Sequence, residues 1–326
     1  MKIQLIHNGR IPALRYGGTE RVIWYLGREL ARMGHRVSYL VHKGSQCDFG
    51  QIIEINDSRP LTEQIPADTD VVHFNDPPAE PVEKPHIVTI HGNIGHTDPL
   101  NINCVFVSCD HARRHGSESF VYNGLDWDDY GKVSLDNRRE YYHFLGKAAW
   151  RKKNVRGAIG VVKALPGEKL YVLGGTRLNL KMGFRFTATP RARFFGMVGG
   201  EEKNALLQGS KGLIFPVRWP EPFGLAITES LFFGCPVFGT PYGSLPELVI
   251  PEVGFLADSL TELAAHIRQS AYDRRICHEY ARDRFNSKIM AHQYLACYER
   301  VLNGETLNPI PPRALKPHDG RLPWNG

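Results

Sequence analysis

Apolar positions along this chain follow two alternating rhythms. Short apolar runs cover residues 2–7, 36–41, 70–74, 86–90 and 104–107, the length and character of buried strands. Between the first two, Val22, Ile23, Leu26, Leu30 and Met33 recur at helical spacing, which predicts a helix over 19–33 closed by Gly34. Residues 124–139 are polar, acidic then basic, and have no apolar period, so a domain boundary is expected there. The rhythm then restarts, with strands over 141–145, 169–173 and 212–215 and another beginning at Val237. Helices are predicted over 155–165, 201–208, 225–233, 260–269, 273–284 and 288–302. Strand–helix alternation of this kind points to parallel α/β layers. From Asn303 the chain carries five prolines and no periodicity, which predicts an extended or disordered tail.

The 326 residues suffice for two domains with full cores. A composition of 42% hydrophobic and 23% charged residues excludes disorder as the overall class, and no apolar run approaches the ~20 residues of a membrane span. The first residues read as a strand and not as a signal peptide. Six scattered cysteines with no C-x-x-C pair read as reduced thiols, mostly in cores, so a cytoplasmic protein is expected. The net charge of +6 fits an anionic ligand or a weak peripheral contact with an anionic membrane, although solubility explains it as well. Nucleic acid is not an expected partner, and the oligomeric state stays open.

The most informative stretch is Trp219-Pro220-Glu221-Pro222-Phe223-Gly224-Leu225-Ala226-Ile227-Thr228-Glu229-Ser230. The two prolines keep its start out of helix. A helix then runs on from Leu225, with Gly234 at its C-terminal cap and Pro236 preventing continuation. One carboxylate therefore precedes a helix N-terminus and the other lies within the helix. Between them the backbone amides of Phe223, Gly224 and Leu225 favour an anion. A phosphate there, with a carboxylate on either side to accept hydrogen bonds from sugar hydroxyls, is the requirement for gripping a nucleotide sugar. Neither carboxylate is expected to be part of the core.

Two glutamates separated by seven residues, with Pro-Phe-Gly-Leu between them and Glu-Ser-Leu-Phe-Phe-Gly-Cys-Pro-Val after, closely resemble the signature of the family-four retaining glycosyltransferases. The resemblance implies the GT-B fold, in which two Rossmann-like, doubly wound parallel-sheet domains face a cleft. It divides the chain into an acceptor-side domain (1–135), a nucleotide-sugar domain (136–287), a helix crossing back to the first domain (288–302) and an extended tail (303–326). It also implies that Glu221 holds the donor sugar near its reacting carbon and that Glu229 accepts from the ribose hydroxyls.

Other loops fit this picture. Gly17 and Gly18, in Arg15-Tyr16-Gly17-Gly18-Thr19-Glu20-Arg21, open the first helix, where a backbone can approach a phosphate closely. The plainer reading is a flexible loop with Thr19 as N-cap; the matching family loop lies over the donor diphosphate. Gly146-Lys147 ends a strand and Arg151-Lys152-Lys153-Asn154 follows, placing cations where open α/β sheets bind ligands. The family has Gly-Arg and then a lysine here. Lys147 replaces the arginine, and Lys152 and Lys153 compete for the second role, with Lys153 preferred on local order. Lysine lacks the bidentate fork of arginine, so the grip on a diphosphate is looser. His91 ends a strand and matches a family histidine near donor sugar and acceptor; His73 is a weaker candidate. Phe195-Gly196-Met197-Val198 corresponds to the segment whose backbone recognises the base.

Three features are set aside. His111 and His115 share a spacing but lack the glutamate of H-E-x-x-H. Asp126-Trp127-Asp128 mimics a metal motif of another glycosyltransferase fold but follows an interdomain turn, so no metal is expected. Arg21, Arg28 and Arg32 read as mostly solvated. The expectation is a cytoplasmic, metal-independent, retaining hexosyltransferase-type enzyme without cofactor. Its acceptor would be a saccharide, a lipid-linked molecule or a small molecule, in envelope polysaccharide, glycolipid or natural-product assembly. The alternatives are a catalytically silent GT-B nucleotide-binding protein, departing from the family at Lys147 and Tyr242-Gly243-Ser244, and a GT-B nucleotide-sugar epimerase.

Overall fold

A computed structural model of the chain describes residues 1–12, 17–180, 182, 184–316 and 320–326. It divides into one unit of Met1–Asp126 with Phe285–Pro317 and another of Trp127–Arg284 with His318–Gly326. The crossing at Asp126–Trp127 falls inside the polar 124–139 segment.

The first unit is built on a parallel six-stranded sheet. Its strands are β1 (Lys2–Ile6), β2 (Arg36–Val41), β3 (Gln51–Glu54), β4 (Val71–Phe74), β5 (His86–Ile90) and β6 (Cys104–Phe106), in the order β3-β2-β1-β4-β5-β6. The order reverses at β1, so β1 and β4 flank the switch point where ligands bind in such sheets. Helix α1 (Gly18–Arg32) buries Val22, Ile23, Leu26 and Leu30, the apolar stripe expected from the spacing. Strand β3 was not anticipated. It is a half-exposed edge strand, paired in register with β2, and lacks an apolar run. A short helix, α2 (Cys109–Arg113), follows β6.

The second unit repeats the plan with β7 (Tyr141–Leu145), β8 (Leu170–Leu173), β9 (Leu178–Asn179), β10 (Arg185–Phe186), β11 (Ala192–Phe194), β12 (Ser210–Phe215), β13 (Val237–Gly239) and β14 (Gly254–Leu256). Its main sheet has the order β11-β8-β7-β12-β13-β14, with β7 and β12 at the switch point. Strands β9 and β10 form a separate antiparallel hairpin. The helices are α3 (Val155–Ala164), α4 (Gly200–Gln208), α5 (Leu225–Phe232), α6 (Leu245–Leu248), α7 (Leu260–Gln269) and α8 (Arg274–Arg284). One core packs Phe144, Val161, Val162, Leu170, Val172, Ile214 and Leu263 between the sheet and helices α3 and α7.

Helix α9 (Ser287–Leu302) belongs to the first unit. Its Tyr298 hydroxyl lies 2.8 Å from His73 Nδ1 and its Tyr294 hydroxyl 3.0 Å from Thr89 Oγ1. Beyond it the described residues of the tail form no helix or strand, and several of them are buried. Asn308 donates to the carbonyls of Ile102 (2.7 Å) and Cys104 (3.0 Å), and Leu307 and Ala314 are buried. Leu322 exchanges hydrogen bonds with Arg218 in the second unit. Side-chain-to-backbone bonds of this kind hold a segment that has no period of its own.

Candidate functional site

The loop after β12 carries the first glutamate. Glu221 is only 6% exposed. Lys153 Nζ donates to its Oε2 at 2.6 Å, and the Trp219 indole N–H donates to the same oxygen at 2.8 Å. A second loop braces the first. Gly243 forms a bridge with Glu221, and the Ser244 amide donates to the Glu221 carbonyl at 2.9 Å. The Ser244 hydroxyl donates to the Phe223 carbonyl at 2.6 Å. A β-carbon at position 243 would stand 2.2 Å from the Glu221 nitrogen, so this close approach requires glycine. The Tyr242-Gly243-Ser244 departure therefore keeps the glycine on which the Glu221 loop rests.

Glu229 is buried more deeply, at 2% exposure, one turn into α5. Its Oε1 accepts from the Tyr130 hydroxyl at 2.7 Å and forms an ion pair with Lys203 Nζ of α4. The Lys203 ammonium also lies 5.0 Å from the centre of the Tyr130 ring. The next residue, Ser230, bonds His143 of β7 at 2.8 Å, and His143 reaches Ser210 of β12 with its other nitrogen. Burial drives the His143 pKa down to about 3, so a neutral ring ties the signature helix to the sheet. Both glutamates are thus core side chains, contrary to the solvated carboxylates expected. Each is compensated by a lysine, Glu229 by buried Lys203 and Glu221 by partly buried Lys153, as a buried charge must be.

The expected cations lie beside this carboxylate. Lys153 is in contact with Glu221 and sits over the rings of Phe215 and Trp219, 5.1 Å from each centre. Lys152 lies over Trp219 at 5.7 Å and has no ion pair among the described residues. Geometry therefore joins Lys153, rather than Lys152, to the signature. Lys147 follows β7, with its ammonium 5.4 Å from the Trp150 ring centre. Asn154, left-handed at φ 55°, caps α3 by accepting from the Gly157 amide at 3.1 Å. Gly224, also left-handed at φ 90°, opens α5 between buried Phe223 and Leu225. Gly196 and Gly175 exchange two backbone bonds of 3.1 Å at the ends of β11 and β8, and Met197 follows them, exposed.

Gly17, Gly18 and His91 belong to the first unit. Gly17 is the cap residue of α1, Gly18 its first residue, and Arg21 donates to the Gly17 carbonyl at 3.1 Å. Thr19 lies inside the first turn and is not the cap. Arg15 and Tyr16 lie outside the described residues. At the strand ends, Asn75 donates to the Ile6 carbonyl, which orients its amide so that Oδ1 faces His91 Nε2 at 2.9 Å. In that arrangement Nε2 carries the proton and Nδ1 is left as the unprotonated nitrogen. Burial, helped by the charge on His7, lowers the His91 pKa to about 4. His7 lies 2.8 Å from Asp76, whose carboxyl is held below its ordinary range because bonds from His7 and Asn8 outweigh its partial burial. His73 is fully buried between Thr89 and Tyr298 and is structural.

Several readings need correction or enlargement. Arg28 and Arg32 are not merely solvated, because both donate to Asp126 at 2.6 Å. Two guanidiniums thus engage the carboxylate of the D-x-D look-alike. His111 and His115 are buried against Phe106. Among the described residues no group of three or more His, Cys, Asp or Glu gathers to hold a metal. All six cysteines are free, and Cys104, Cys235 and Cys277 are buried. Nothing in the sequence marks Tyr130 or Lys203 as partners of a carboxylate, and Trp219 stands there only as the first residue of the signature stretch. A lysine on a polar helix reads as solvated, and only the fold shows that Lys203 faces Glu229.

Two compensated carboxylates, a strand-end cation and a helix opening on a left-handed glycine thus surround the second switch point. Residues 128–284 match the family of glycosyl transferases group 1. Over that region the chain is similar to group 1 glycosyl transferases, the coarser part of the resemblance read from the signature, and the fold is GT-B. The group 1 region lies wholly in the second unit. The chain is 31% identical to O-antigen chain mannosyltransferase B of Escherichia coli over 37% of its own length and 34% of that protein. It therefore matches only about a third of that relative. Among solved structures, it resembles AviGT4, a glycosyltransferase involved in avilamycin A biosynthesis, with a TM-score of 0.73 at 21% identity, covering 94% of this chain and 99% of the other. Anabaena HepE in complex with UDP-glucose gives a TM-score of 0.63 at 15% identity, over 92% and 99%. At these identities the structures speak for the fold alone. No helix among the described residues is long and apolar enough to cross a membrane.

Proposed function

We propose that this chain is a retaining, metal-independent glycosyltransferase that moves a sugar from a nucleoside-diphosphate sugar to an acceptor hydroxyl. The observation that carries the reading is the Lys153–Glu221–Trp219 cluster at the carboxyl end of β12, beside Lys147 at the end of β7. A partly buried lysine already aligned with a carboxylate is preorganised charge, which acts where charge develops on the leaving diphosphate. In the proposed step the bond from the anomeric carbon to the phosphate oxygen breaks and a bond to the acceptor oxygen forms. The acceptor proton passes to the leaving phosphate. Lys153 and Lys147 stabilise that phosphate, with the amides of Gly17, Gly18, Phe223, Gly224 and Leu225 assisting. Glu221 holds the donor sugar, Glu229 the ribose, and the backbone about Met197 the base. His91, neutral at physiological pH, orients the donor sugar or the acceptor.

The mannosyltransferase relative and the UDP-glucose complex make mannosyl and glucosyl nucleotides the first donors to try. Free buried thiols fit action in the cytoplasm, and the acceptors to try are saccharides, lipid-linked saccharides and natural-product hydroxyls. The test is release of nucleoside diphosphate from such donors, with and without acceptor, and assignment of the product anomer by NMR. Acceptor-dependent release with retained configuration is expected. Binding without turnover would make the chain a silent binder, and donor conversion without acceptor would make it an epimerase.

A further inference from the structure

The β9–β10 hairpin is built inside out. Leu178 and Phe186 pair across its strands, and Leu180, Met182 and Phe184 lie in the connection between them; all five are between 45% and 69% exposed. Paired residues of two strands share a face, so Leu178 and Phe186 present one apolar face to solvent, and Met182 and Phe184 are exposed at the rim of the cavity below. The other side of the hairpin is held by guanidinium groups in place of apolar packing. Arg177 donates to the carbonyls of Thr187 (2.9 Å) and Thr189 (3.0 Å). Arg185, buried, donates to the Thr176 carbonyl at 2.8 Å and lies over the Phe194 ring.

Beneath the hairpin is a cavity of about 400 Å³ within the second unit. Arg151, Arg156, Arg185, Arg218 and Arg321 line it, together with Met182 and Phe184 of the hairpin. Its described lining contains no Asp or Glu side chain, and none of the five arginines has an ion pair among the described residues. Apolar side chains projecting beside uncompensated cations match the two layers of an anionic membrane surface, acyl chains and phosphate headgroups. Five apolar residues fall well short of the roughly 20–30 residues a side that a standard protein interface uses.

We propose that the hairpin and its arginine cavity dock the chain onto an anionic membrane, with the apolar side chains entering the interface and a phospholipid headgroup entering the cavity. The cavity borders the signature loop through Arg218, Arg151 and Asn154, so the docking is tested at Arg156, Arg321 and the hairpin, which have no part in the proposed sugar transfer.

The test is co-sedimentation of the full chain with vesicles of phosphatidylcholine alone and of phosphatidylcholine mixed with phosphatidylglycerol. Binding to the mixed vesicles only, weakened by salt, is expected. Arg156→Ala and Arg321→Ala should each weaken it about fivefold, which is the roughly 1 kcal/mol that a cation contributes near an anionic leaflet. Phe184→Ser with Phe186→Ser should weaken it about tenfold or more. Melting curves and donor turnover in solution should stay as in the wild type; if that double variant fails to fold, Leu180→Ser takes its place. A wild-type chain that stays in the supernatant overturns the proposal, as does equal binding to both vesicles or binding insensitive to the substitutions. A wild-type dimer in solution that the phenylalanine substitutions split would make a second copy the occupant and overturn it too.

Discussion

In the first unit, the strand ends beside the switch point carry His7, Asn75, Asp76 and His91. In the second, the corresponding ends lead to Lys147, Lys153, Trp219 and Glu221. The first set is held by a neutral imidazole on an amide and by an exposed carboxylate on His7. The second is held by a buried ion pair, with another behind it at Lys203 and Glu229. The same sheet topology thus supports two kinds of chemistry. Buried, compensated charge is fixed in place and suits a strongly anionic donor. A neutral, hydrogen-bonded histidine suits orientation of hydroxyl groups. A substitution in the second set should therefore unbalance a charge, and one in the first should mainly change a proton equilibrium.

The largest effect should follow from breaking the deepest pair. Lys203→Ala leaves the Glu229 carboxylate buried without its lysine, which should cost about 3–5 kcal/mol of stability in urea unfolding. Unchanged stability would show that Lys203 is only a neighbour. Next come the two carboxylates in steady-state kinetics. Glu221→Gln should lower kcat, because a sugar contact near the reacting carbon strengthens in the transition state. Glu229→Gln should mainly raise KM, because ribose binding is uniform. Each loss is expected at about tenfold to a hundredfold, from the roughly 1.5–3 kcal/mol of a hydrogen bond to a charged group. Glutamine keeps the volume, so neither variant should lose more stability than Lys203→Ala. The reverse pattern of kcat and KM would exchange the two assigned roles.

A smaller effect separates the first unit. The folded His91 has a pKa of about 4 against the usual 6.5, so between those values the unfolded chain takes up a proton that the folded chain does not. Its contribution to stability is therefore complete above about pH 6.5 and is lost as the pH falls toward 4. In His91→Gln the stability–pH slope over that window should become shallower by up to about 1.4 kcal/mol per pH unit. An unchanged slope would mean that the ring titrates normally. Smallest of all, chelator should leave transfer unchanged. Loss of activity restored by manganese or magnesium would bring Asp126 and Asp128 back into the site.

Much of this was legible in the sequence. Strand runs and helical spacing gave the α/β alternation, because parallel sheets bury their strands on both faces and leave apolar blocks. The signature singled out Glu221, Glu229 and the amides about Gly224, while the left-handed turn at Gly224 is seen only in the fold. Their surroundings were not legible. Trp219, Tyr130 and Lys203 are ordinary residues until the fold brings them to a carboxylate, and no spacing rule reports a contact between Tyr130 and Glu229. Edge strand β3 lacks a period because one side is wet. The hairpin was not read from the sequence at all, since two-residue strands leave no period to see.

The account turns on whether Lys153 grips a diphosphate, and binding measures this without knowledge of the acceptor. Calorimetry should compare uridine with UDP and guanosine with GDP, on the wild type, Lys153→Ala and Lys152→Ala. For the base that is recognised, the wild type should bind the diphosphate far more tightly than the nucleoside. Lys153→Ala should remove most of that margin while leaving the nucleoside affinity nearly unchanged, and Lys152→Ala should keep it. A margin that survives in Lys153→Ala, or an equal loss for nucleoside and diphosphate, would contradict the account.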